Sequence, residues 1–224
     1  MKGKFNGIFA IAALIFATLA CQAVIRGGGN DTPVPPSPKV IFSDDFSSRQ
    51  WGVGTDADSS VDYANDALQM TVFKANYFIW STPNNQSYQD VHMDVTVINN
   101  DTDSTTAFGI MCNQQVTNGN FYYLAMTPAG EYAIAKSVEG QNDLFLTNND
   151  EWAYSDQIET NASSYRVGAD CSNGMLVLYV DGQAIASVSD STYLGGGVGL
   201  FTWSGEDAGS ANVSFDDFVM TELP

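Results

Sequence analysis

The chain has 224 residues and carries 26 acidic side chains against eight Lys and Arg, a formal net charge of −18 at pH 7. Proteins bind nucleic acids through a cationic surface, so this balance excludes nucleic acid as a partner. Cys112 and Cys171 have no further Cys or suitably spaced His to complete a zinc site, and one His makes serine or cysteine hydrolysis a poor fit.

The first 20 residues have the pattern of an export signal. Lys2 and Lys4 precede an uncharged run over residues 8–20, which is shorter than the roughly twenty residues that a membrane span needs. The run ends in Thr-Leu-Ala-Cys, which resembles the bacterial lipoprotein signal, where a small residue precedes the Cys that becomes the lipidated first residue. We predict a signal peptide at 1–20 and lipid on Cys21, with ordinary secretion after nearby cleavage as the alternative.

Residues 21–38 contain Cys21 and then a Gly-rich and Pro-rich stretch without apolar periodicity. Such a stretch is flexible and then semi-extended, and it would hold a domain away from a membrane. Residues 39–224 have an ordinary globular composition and the right length for one β-domain. We therefore predict a tether followed by a single domain.

Short apolar segments recur between turn signals from residue 40 onward, and none has a helical period. The clearest is 91–97, where Val and Met alternate with polar residues as in a half-buried strand. Segment 107–112 is predicted to pair with 121–126. About a dozen strands are expected, at 40–46, 67–73, 77–80, 91–97, 107–112, 121–126, 132–135, 144–146, three within 165–189, 198–203 and 213–220. This pattern predicts an all-β antiparallel sandwich.

The stretch 165–189 predicts a three-stranded meander. Its apolar runs are separated by Asn173-Gly174 and Asp181-Gly182, and such pairs favour two-residue type I′ turns because both central positions need φ > 0. The predicted register places apolar side chains opposite one another: Cys171 and Leu176, Ala169 and Leu178, Val167 and Val180, then Leu178 and Ile185. A slip of one residue would move every side chain to the other face.

Two of the three cysteines are predicted to point into the core, because they alternate in step with the apolar residues of their strands. Cys112 follows Phe108 and Ile110, and Cys171 follows Val167 and Ala169. If Cys21 carries lipid, Cys112 and Cys171 remain as an even pair. We predict a buried disulfide, as expected in an oxidising compartment, with two buried free thiols as the alternative.

Six segments together resemble the concanavalin A-like lectin/glucanase jelly rolls, with LamG-like and DUF1080-like domains nearest. They are FSDDF (42–46), NFYYL (120–124), the turn at Gly130, LYVDG (178–182), GGGVGLF (195–201) and VSFDDF (213–218). The resemblance implies a two-sheet antiparallel jelly-roll sandwich in which the first and last strands are neighbours. It also implies that the LYVDG strand belongs to the sheet that lines a concave face. Functions on this fold range from glycan binding and adhesion to glycoside hydrolysis.

The catalytic motif of the related glucanases is missing. They carry Glu-x-Asp-x-Glu or Glu-x-Asp-x-x-Glu, which sets two carboxyl groups on one face of a strand. No Glu here has an acidic residue two positions later; the six are Glu131, Glu139, Glu151, Glu159, Glu206 and Glu222. Asp56 with Asp58, and Asp101 with Asp103, have the spacing but lie in predicted loops. No catalytic residue is predicted, although a pair assembled from distant strands is left open.

Two groups of residues are candidate metal ligands. In related jelly rolls a structural Ca²⁺ often joins the N-terminal segment to an Asp of the last strand, so the resemblance implies Ca²⁺ at Asp45 and Asp216. Asp side chains that cap loop amides are the alternative. His92, between Asp90 and Asp94 on one strand face, could also share a metal, the alternative being a solvated outer face.

Aromatic side chains are the candidate glycan contacts. The candidates are Trp80, Trp152, Trp203, Tyr122 and Tyr179, with Trp152 and Trp203 preferred because polar residues flank them. Core packing is the alternative for each. If a concave ligand surface exists, we expect it on the outward face of the meander at Met175, Val177 and Tyr179.

The sequence therefore predicts a non-catalytic cell-envelope lipoprotein domain that binds a glycan or another envelope surface ligand, in contact with the membrane only through its lipid. A glycoside hydrolase, or a structural or adhesion module that binds protein, is the alternative.

Overall fold

The computed structural model describes residues 38–206 and 209–224, which form sixteen strands. The predicted signal peptide, Cys21 and almost all of the tether lie outside the described residues. In chain order the strands are β1 (Val40–Asp44), β2 (Gly54–Thr55), β3 (Ser59–Ala64), β4 (Ala67–Val72), β5 (Phe78–Ser81), β6 (Val91–Asn99), β7 (Ala107–Gln114), β8 (Phe121–Met126), β9 (Glu131–Ser137), β10 (Leu144–Phe145), β11 (Ala153–Tyr154), β12 (Tyr165–Ser172), β13 (Met175–Val180), β14 (Gln183–Ser189), β15 (Gly197–Trp203) and β16 (Ala211–Glu222). Within these ranges no helix is long and apolar enough to cross a membrane.

The strands form two antiparallel sheets, which confirms the predicted all-β sandwich. The nine-stranded sheet has the order β14-β13-β12-β6-β16-β4-β3-β2, with β1 paired to β16. The seven-stranded sheet has the order β10-β9-β8-β7-β15-β5, with β11 paired to β9. The first and last strands are neighbours, as the resemblance implies, and Asp44 pairs with Phe218.

The main core lies between the sheets and follows the period-two alternation of the strands. In β6 the side chains of Val91, Met93, Val95 and Val97 are fully buried while the intervening residues are not. From the opposite sheet, alternate residues of β7 and β8 meet them, including Phe108 and Leu124. Burial of such side chains is the main favourable contribution to folding.

The meander β12–β14 has the predicted first register and a different second one. Cys171 pairs with Leu176, and Asn173 and Gly174 have φ of 48° and 75°, as a type I′ turn requires. In the second hairpin, Leu178 pairs with Ala186 and not with Ile185, because a bulge between Leu178 and Tyr179 adds one residue on the β14 side. The prediction for Ile185 is therefore wrong by one position.

The predicted disulfide between Cys112 and Cys171 is confirmed. It links β7 of the seven-stranded sheet to β12 of the nine-stranded sheet inside the core, near the C-terminal ends of both strands. The cysteines are separated by 59 positions in the sequence. Closing a loop of this length removes chain entropy from the unfolded state, so the bond stabilises the sandwich without adding apolar contacts.

An ion pair joins the two sheets at another point. Lys136 of β9 binds Asp190, which follows β14, with 2.7 Å between Nζ and Oδ2. Tyr122 of β8 donates from its hydroxyl to Oδ1 of the same carboxylate at 2.6 Å. Burial raises the pKa of Asp190, but the hydrogen bonds from Lys136, Thr192 and Tyr122 outweigh it and hold this pKa well below its usual range.

Replacing both Cys112 and Cys171 by Ala is expected to lower the free energy of unfolding by about 3–5 kcal/mol, because the unfolded chain regains the entropy of the loop. Urea denaturation followed by fluorescence measures this change. The wild-type protein in dithiothreitol is the matched control and should lose a similar amount. Equal stability of oxidised and reduced wild type would contradict the prediction.

Candidate functional site

The seven-stranded sheet has a second apolar face, turned away from the core. In β15, Val198 and Leu200 face the core while Phe201 and Trp203 face outward. Phe201 stacks on Phe78 of β5 with ring centroids 4.8 Å apart and 13° between the planes. Tyr123 of β8 packs edge-on against Phe201 at 5.5 Å. These rings form a small aromatic layer on the outside of the sheet.

Small residues of the neighbouring strands make room for this layer. At Gly109 of β7 a Cβ atom would lie 1.9 Å from the carbonyl oxygen of Leu124 and 3.1 Å from Cε1 of Phe201. Ala125 is buried beside it. A larger side chain at Gly109 would displace either the backbone of β8 or the ring of Phe201.

The segment that follows β9 brings two more aromatic rings onto this face. Its turn has three consecutive residues with positive φ, Asn148, Asn149 and Asp150. Asp150 accepts a hydrogen bond from the backbone N–H of Phe145 at 2.8 Å, and the amide of Asn148 donates to the carbonyl of Trp152 at 2.6 Å. Asn and Asp tolerate this conformation better than other side chains, so the local sequence accounts for the turn.

Trp152 and Trp203 meet at this point. Their ring planes are nearly parallel, at 16°, and the centroids are 6.3 Å apart. Both side chains are half-buried. They form one wall of a cavity of about 420 Å³, here called the aromatic cleft, which is lined by Asn76, Phe78, Ala107, Tyr123, Ala125, Asn142, Asp143, Phe145, Trp152, Phe201, Trp203 and Glu206.

A second cavity of about 280 Å³ shares Trp152, Trp203 and Glu206 with the aromatic cleft. Its other lining residues are Thr105, Thr127, Glu131 and Gly205. The two tryptophans therefore contribute to both cavities. Together the cavities form a polar and aromatic groove over the outside of the sheet.

Polar side chains at the cleft are held by its aromatic residues. The indole N–H of Trp203 donates to Oδ1 of Asn76 at 3.2 Å, which leaves the Asn76 amino group free to donate. The Tyr123 hydroxyl donates to Oδ2 of Asp143 at 3.0 Å. Burial, together with the Asp143 charge, holds the pKa of Tyr123 far above its usual range, so the phenol stays a neutral donor.

The floor of the cleft carries no pair of carboxyl groups. In the described chain, β5, β7, β8 and β15 contain no Asp or Glu. The acidic residues that line the cleft, Asp143 and Glu206, come from loops and are both exposed. Glycoside hydrolysis with two carboxylates needs one of them raised in pKa and both fixed across the bond.

The predicted aromatic contacts are divided between different parts of the fold. Trp152 and Trp203 line the cleft, and Trp80 lies on the same sheet face, 47% exposed, but outside the cleft. Tyr122 is fully buried between the sheets, where its hydroxyl binds Asp190. The suggestion that Tyr122 contacts a ligand is therefore corrected: its ring belongs to the core.

Tyr179 lies on the outer face of the other sheet. Its hydroxyl donates to Oδ2 of Asp170 at 2.7 Å, beside His92. The surface expected at Met175, Val177 and Tyr179 is therefore on the opposite side of the sandwich from the aromatic cleft. A ligand surface at these three residues stays a prediction.

His92 is held between two carboxylates. Its Nδ1 lies 2.6 Å from Oδ1 of Asp170 and its Nε2 lies 2.8 Å from Oδ2 of Asp94. Gly168 makes room for this group, since a Cβ there would lie 2.6 Å from Oδ1 of Asp94. Hydrogen bonds from Asp170 and Asp94 raise the pKa of His92 to about 9, so the ring is cationic at neutral pH.

The hypothesis of a metal shared by His92, Asp90 and Asp94 is not supported. Asp90 instead accepts hydrogen bonds from the hydroxyl of Ser172 and the backbone of Asn173. Among the residues that the structure describes, no group of three or more His, Cys, Asp or Glu side chains is placed to hold a metal ion. Both ring nitrogens of His92 are already bound by carboxylates.

Asp45 and Asp216, the predicted Ca²⁺ ligands, do not line one site. Asp45 lines a cavity of about 360 Å³ together with Asp44 and Asp217, whereas Asp216 does not line it. Asp45 accepts two hydrogen bonds from Ser47, and Asp216 accepts one from the backbone of Asp217. Ca²⁺ takes six to eight oxygens, which these two residues do not supply. A structural Ca²⁺ stays a prediction.

Several residues of the cleft were missed by the sequence analysis. Phe78, Tyr123 and Phe201 lie in strands with apolar side chains on both faces, so their outward side chains look like core. Asn76, Asp143 and Glu206 lie in loops that carry no motif. A strand apolar on both faces in an antiparallel sandwich is the one signal that could have indicated a covered or ligand-binding outer face.

Comparison with known proteins identifies the fold. No family model and no curated protein matches the sequence. Similar solved structures include the carbohydrate-binding module CBM66 from Bacillus subtilis, at 14% identity and a TM-score of 0.60, over 77% of this chain and 96% of that one. A protein of unknown function with a galectin-like fold from Bacillus subtilis has 10% identity and a TM-score of 0.61, over 84% and 97%.

A Bacillus licheniformis β-glucanase has 13% identity and a TM-score of 0.56, over 84% of this chain and all of that one. The chain thus has the concanavalin A-like jelly-roll fold, as the sequence resemblance implies. At such identities the likeness is one of fold, and the side chains of the cleft have to indicate the function.

The cluster around His92 predicts a stability that depends on pH. Because the folded pKa, about 9, exceeds the ordinary value of 6.5, the stabilising charge is fully present below about pH 6.5 and is lost as the pH rises through about 9. Solvent screens this half-exposed group, so we expect a loss of about 1 kcal/mol over that range. Thermal unfolding across the pH range measures it.

The variant His92→Gln serves as the comparison, since it cannot carry the charge between Asp94 and Asp170. Its stability should change less over the same range than that of the wild type. Asp94, Asp170, Arg166 and Tyr179, the other ionisable groups of the cluster, remain in both proteins. A His92 pKa near 6.5 by NMR would contradict the prediction.

Proposed function

We propose that this domain binds carbohydrate in the aromatic cleft and does not cleave it. The observation that carries the proposal is the pair of near-parallel indoles, Trp152 and Trp203, in the wall of a cavity with a polar rim. Binding sites for small molecules are typically concave and mostly apolar, with a few polar groups that fix the orientation of the ligand. The cleft combines these features.

Sugar rings suit this lining. Their C–H faces can pack on indole and phenyl rings, while their hydroxyls need hydrogen-bond partners at the edge. Asn76 offers amino-group donors, and Asn142, Asp143 and Glu206 offer acceptors around the same cavity. Because Trp203 and Tyr123 already orient Asn76 and Asp143, part of the ordering cost is met before the ligand binds.

The similar structures support a carbohydrate ligand. They include a protein described as a carbohydrate-binding module and others described as β-glucanases. The glucanase activity is the less favoured analogy for this chain, because its described sheet strands place no carboxylate on the floor of the cleft. Asp143 and Glu206, with Glu131 in the adjoining cavity, are the carboxylates that a hydrolytic mechanism would have to use.

Replacement of Trp203 or Trp152 by Ala is expected to weaken glycan binding, because each change removes an indole face and opens the wall of the cleft. Loss of one such contact should cost about 1–3 kcal/mol, or roughly fivefold to 150-fold in affinity. Binding of the fluorescently labelled domain to a glycan array, followed by calorimetry with the best glycan, measures the change.

Trp80→Ala is the matched control, since this exposed indole lies on the same sheet outside the cleft. It should leave the affinity within about twofold. Circular dichroism establishes that each variant is folded. A wild-type domain that binds no glycan would refute the proposal and favour a protein-binding adhesion module. Release of reducing ends that Asp143→Asn or Glu206→Gln abolishes would favour a hydrolase.

We further propose that the domain is exported and held at the cell envelope by lipid on Cys21. The buried disulfide between Cys112 and Cys171 supports an oxidising compartment. A hydrophobic segment followed by Leu-Ala-Cys at 19–21 supports lipidation. The Gly-rich and Pro-rich stretch would then separate the cleft from the membrane, where it could reach surface glycans.

Labelling cells with an alkyne analogue of palmitate is expected to mark the wild-type protein and not Cys21→Ser. The variant should also appear in the soluble fraction, because it lacks the thiol that carries the lipid. Export itself should continue, as shown by an intact disulfide in the released protein. Equal labelling of both proteins would exclude Cys21 as the acceptor.

A further inference from the structure

We propose that the aromatic cleft selects glycans that carry a free, protonated amino group over neutral glycans, and that it excludes anionic ones. This inference rests on the proposed function and names the ligand class of the same cleft. It follows from the acidic side chains and the aromatic rings that line the cleft. It also follows from the ion pairs that the described Lys and Arg side chains form outside the cleft.

The charged residues that line the groove are all acidic. Asp143 and Glu206 line the aromatic cleft, and Glu131 with Glu206 lines the adjoining cavity. No Lys, Arg or His is among the described lining residues of either cavity. A carboxylate or sulfate on a ligand would meet like charges there without a compensating cation.

The domain supplies no cation to these carboxylates. Each Lys and Arg in the described ranges lies within 4.0 Å of a carboxylate outside the groove. The pairs are Lys39 with Glu222, Arg49 with Asp62, Lys74 with Asp58, Lys136 with Asp190, and Arg166 with Asp94. His92 is likewise held by Asp94 and Asp170. The negative charge of the groove is therefore left for a ligand to balance.

The aromatic walls favour the same sign of charge. The face of an indole or phenyl ring is electron-rich and attracts an ammonium group within about 6 Å of its centroid, most strongly in the case of Trp. Trp152 and Trp203 line both cavities together with Glu206. An ammonium group at this position would interact with a π face and a carboxylate at once.

The orientation of Asp143 adds to this preference. Its Oδ2 accepts a hydrogen bond from the largely buried Tyr123, which fixes the carboxylate at the cleft and leaves Oδ1 free to accept from a ligand. An N–H of an amino sugar is a suitable donor for this oxygen. A hydroxyl at the same carbon can also donate, but without the attraction between opposite charges.

Calorimetry with β-1,4-linked tetrasaccharides of glucosamine and glucose tests the inference, because the two differ only in an ammonium or a hydroxyl group on each ring. At about pH 5.5, where the amine is protonated, we expect the glucosamine tetramer to bind about tenfold more tightly. A uronic-acid tetramer is expected not to bind. Tetralysine serves as a probe for general attraction of cations and should bind much more weakly than the glucosamine tetramer.

The double variant Asp143→Asn/Glu206→Gln should remove the preference, so that its affinities for the glucosamine and glucose tetramers lie within about twofold of each other. The matched control, Asp66→Asn/Glu159→Gln, changes the net charge equally at exposed positions outside the groove and should keep the preference. Circular dichroism shows whether both variants are folded.

Four outcomes would overturn the inference. They are equal affinity for the glucosamine and glucose tetramers, binding of the uronic-acid tetramer, loss of the preference in the control variant, and tetralysine binding as tight as that of the glucosamine tetramer. If either of the first two outcomes is found and Trp203→Ala still weakens binding, the proposed function is supported although the inference is wrong. Absence of binding to all three tetrasaccharides and to every glycan of the array would refute both the inference and the proposed function.

Discussion

The central strands of the seven-stranded sheet are apolar on both faces, and the rest of the molecule depends on how each face is covered. The inner faces of β7, β8 and β15 pack on the nine-stranded sheet and form the main core. Their outer faces carry Phe201, Tyr123 and Ala125, which would be costly to leave in water. The chain covers part of this face with Phe145 and Trp152. The uncovered remainder is the aromatic cleft.

Much of the fold follows from local sequence signals. Asn-Gly and Asp-Gly pairs with alternating apolar residues indicate the meander, and the shared inward parity of Cys112 and Cys171 indicates the disulfide. The shift of Ile185 could not be predicted, because a bulge is decided by packing around Leu178 and Tyr179 and not by the turn. Propensity and pattern describe a strand, and its neighbours decide its irregularities.

The candidate site was only partly predictable. Trp152 and Trp203 stood out because polar residues flank them, and the structure brings their rings together. Tyr122 and Tyr179 looked equivalent in sequence, yet one faces the core and the other faces the opposite surface. Parity along a strand gives two faces without saying which one is inside. Only the pairing of distant strands, such as β15 with β5 and β7, shows which aromatic residues share a surface.

The disulfide has a consequence for how this binding surface can diversify. The covalent ring that it closes, from Cys112 to Cys171, contains β8 to β11 and therefore Asp143, Phe145 and Trp152. The loops after β9 can then change in length or sequence, because the bond still joins β7, which precedes them in the chain, to β12, which follows them. The architecture separates the part that must be kept for folding from the part that can vary for recognition, so related chains could acquire new ligands by altering one short segment.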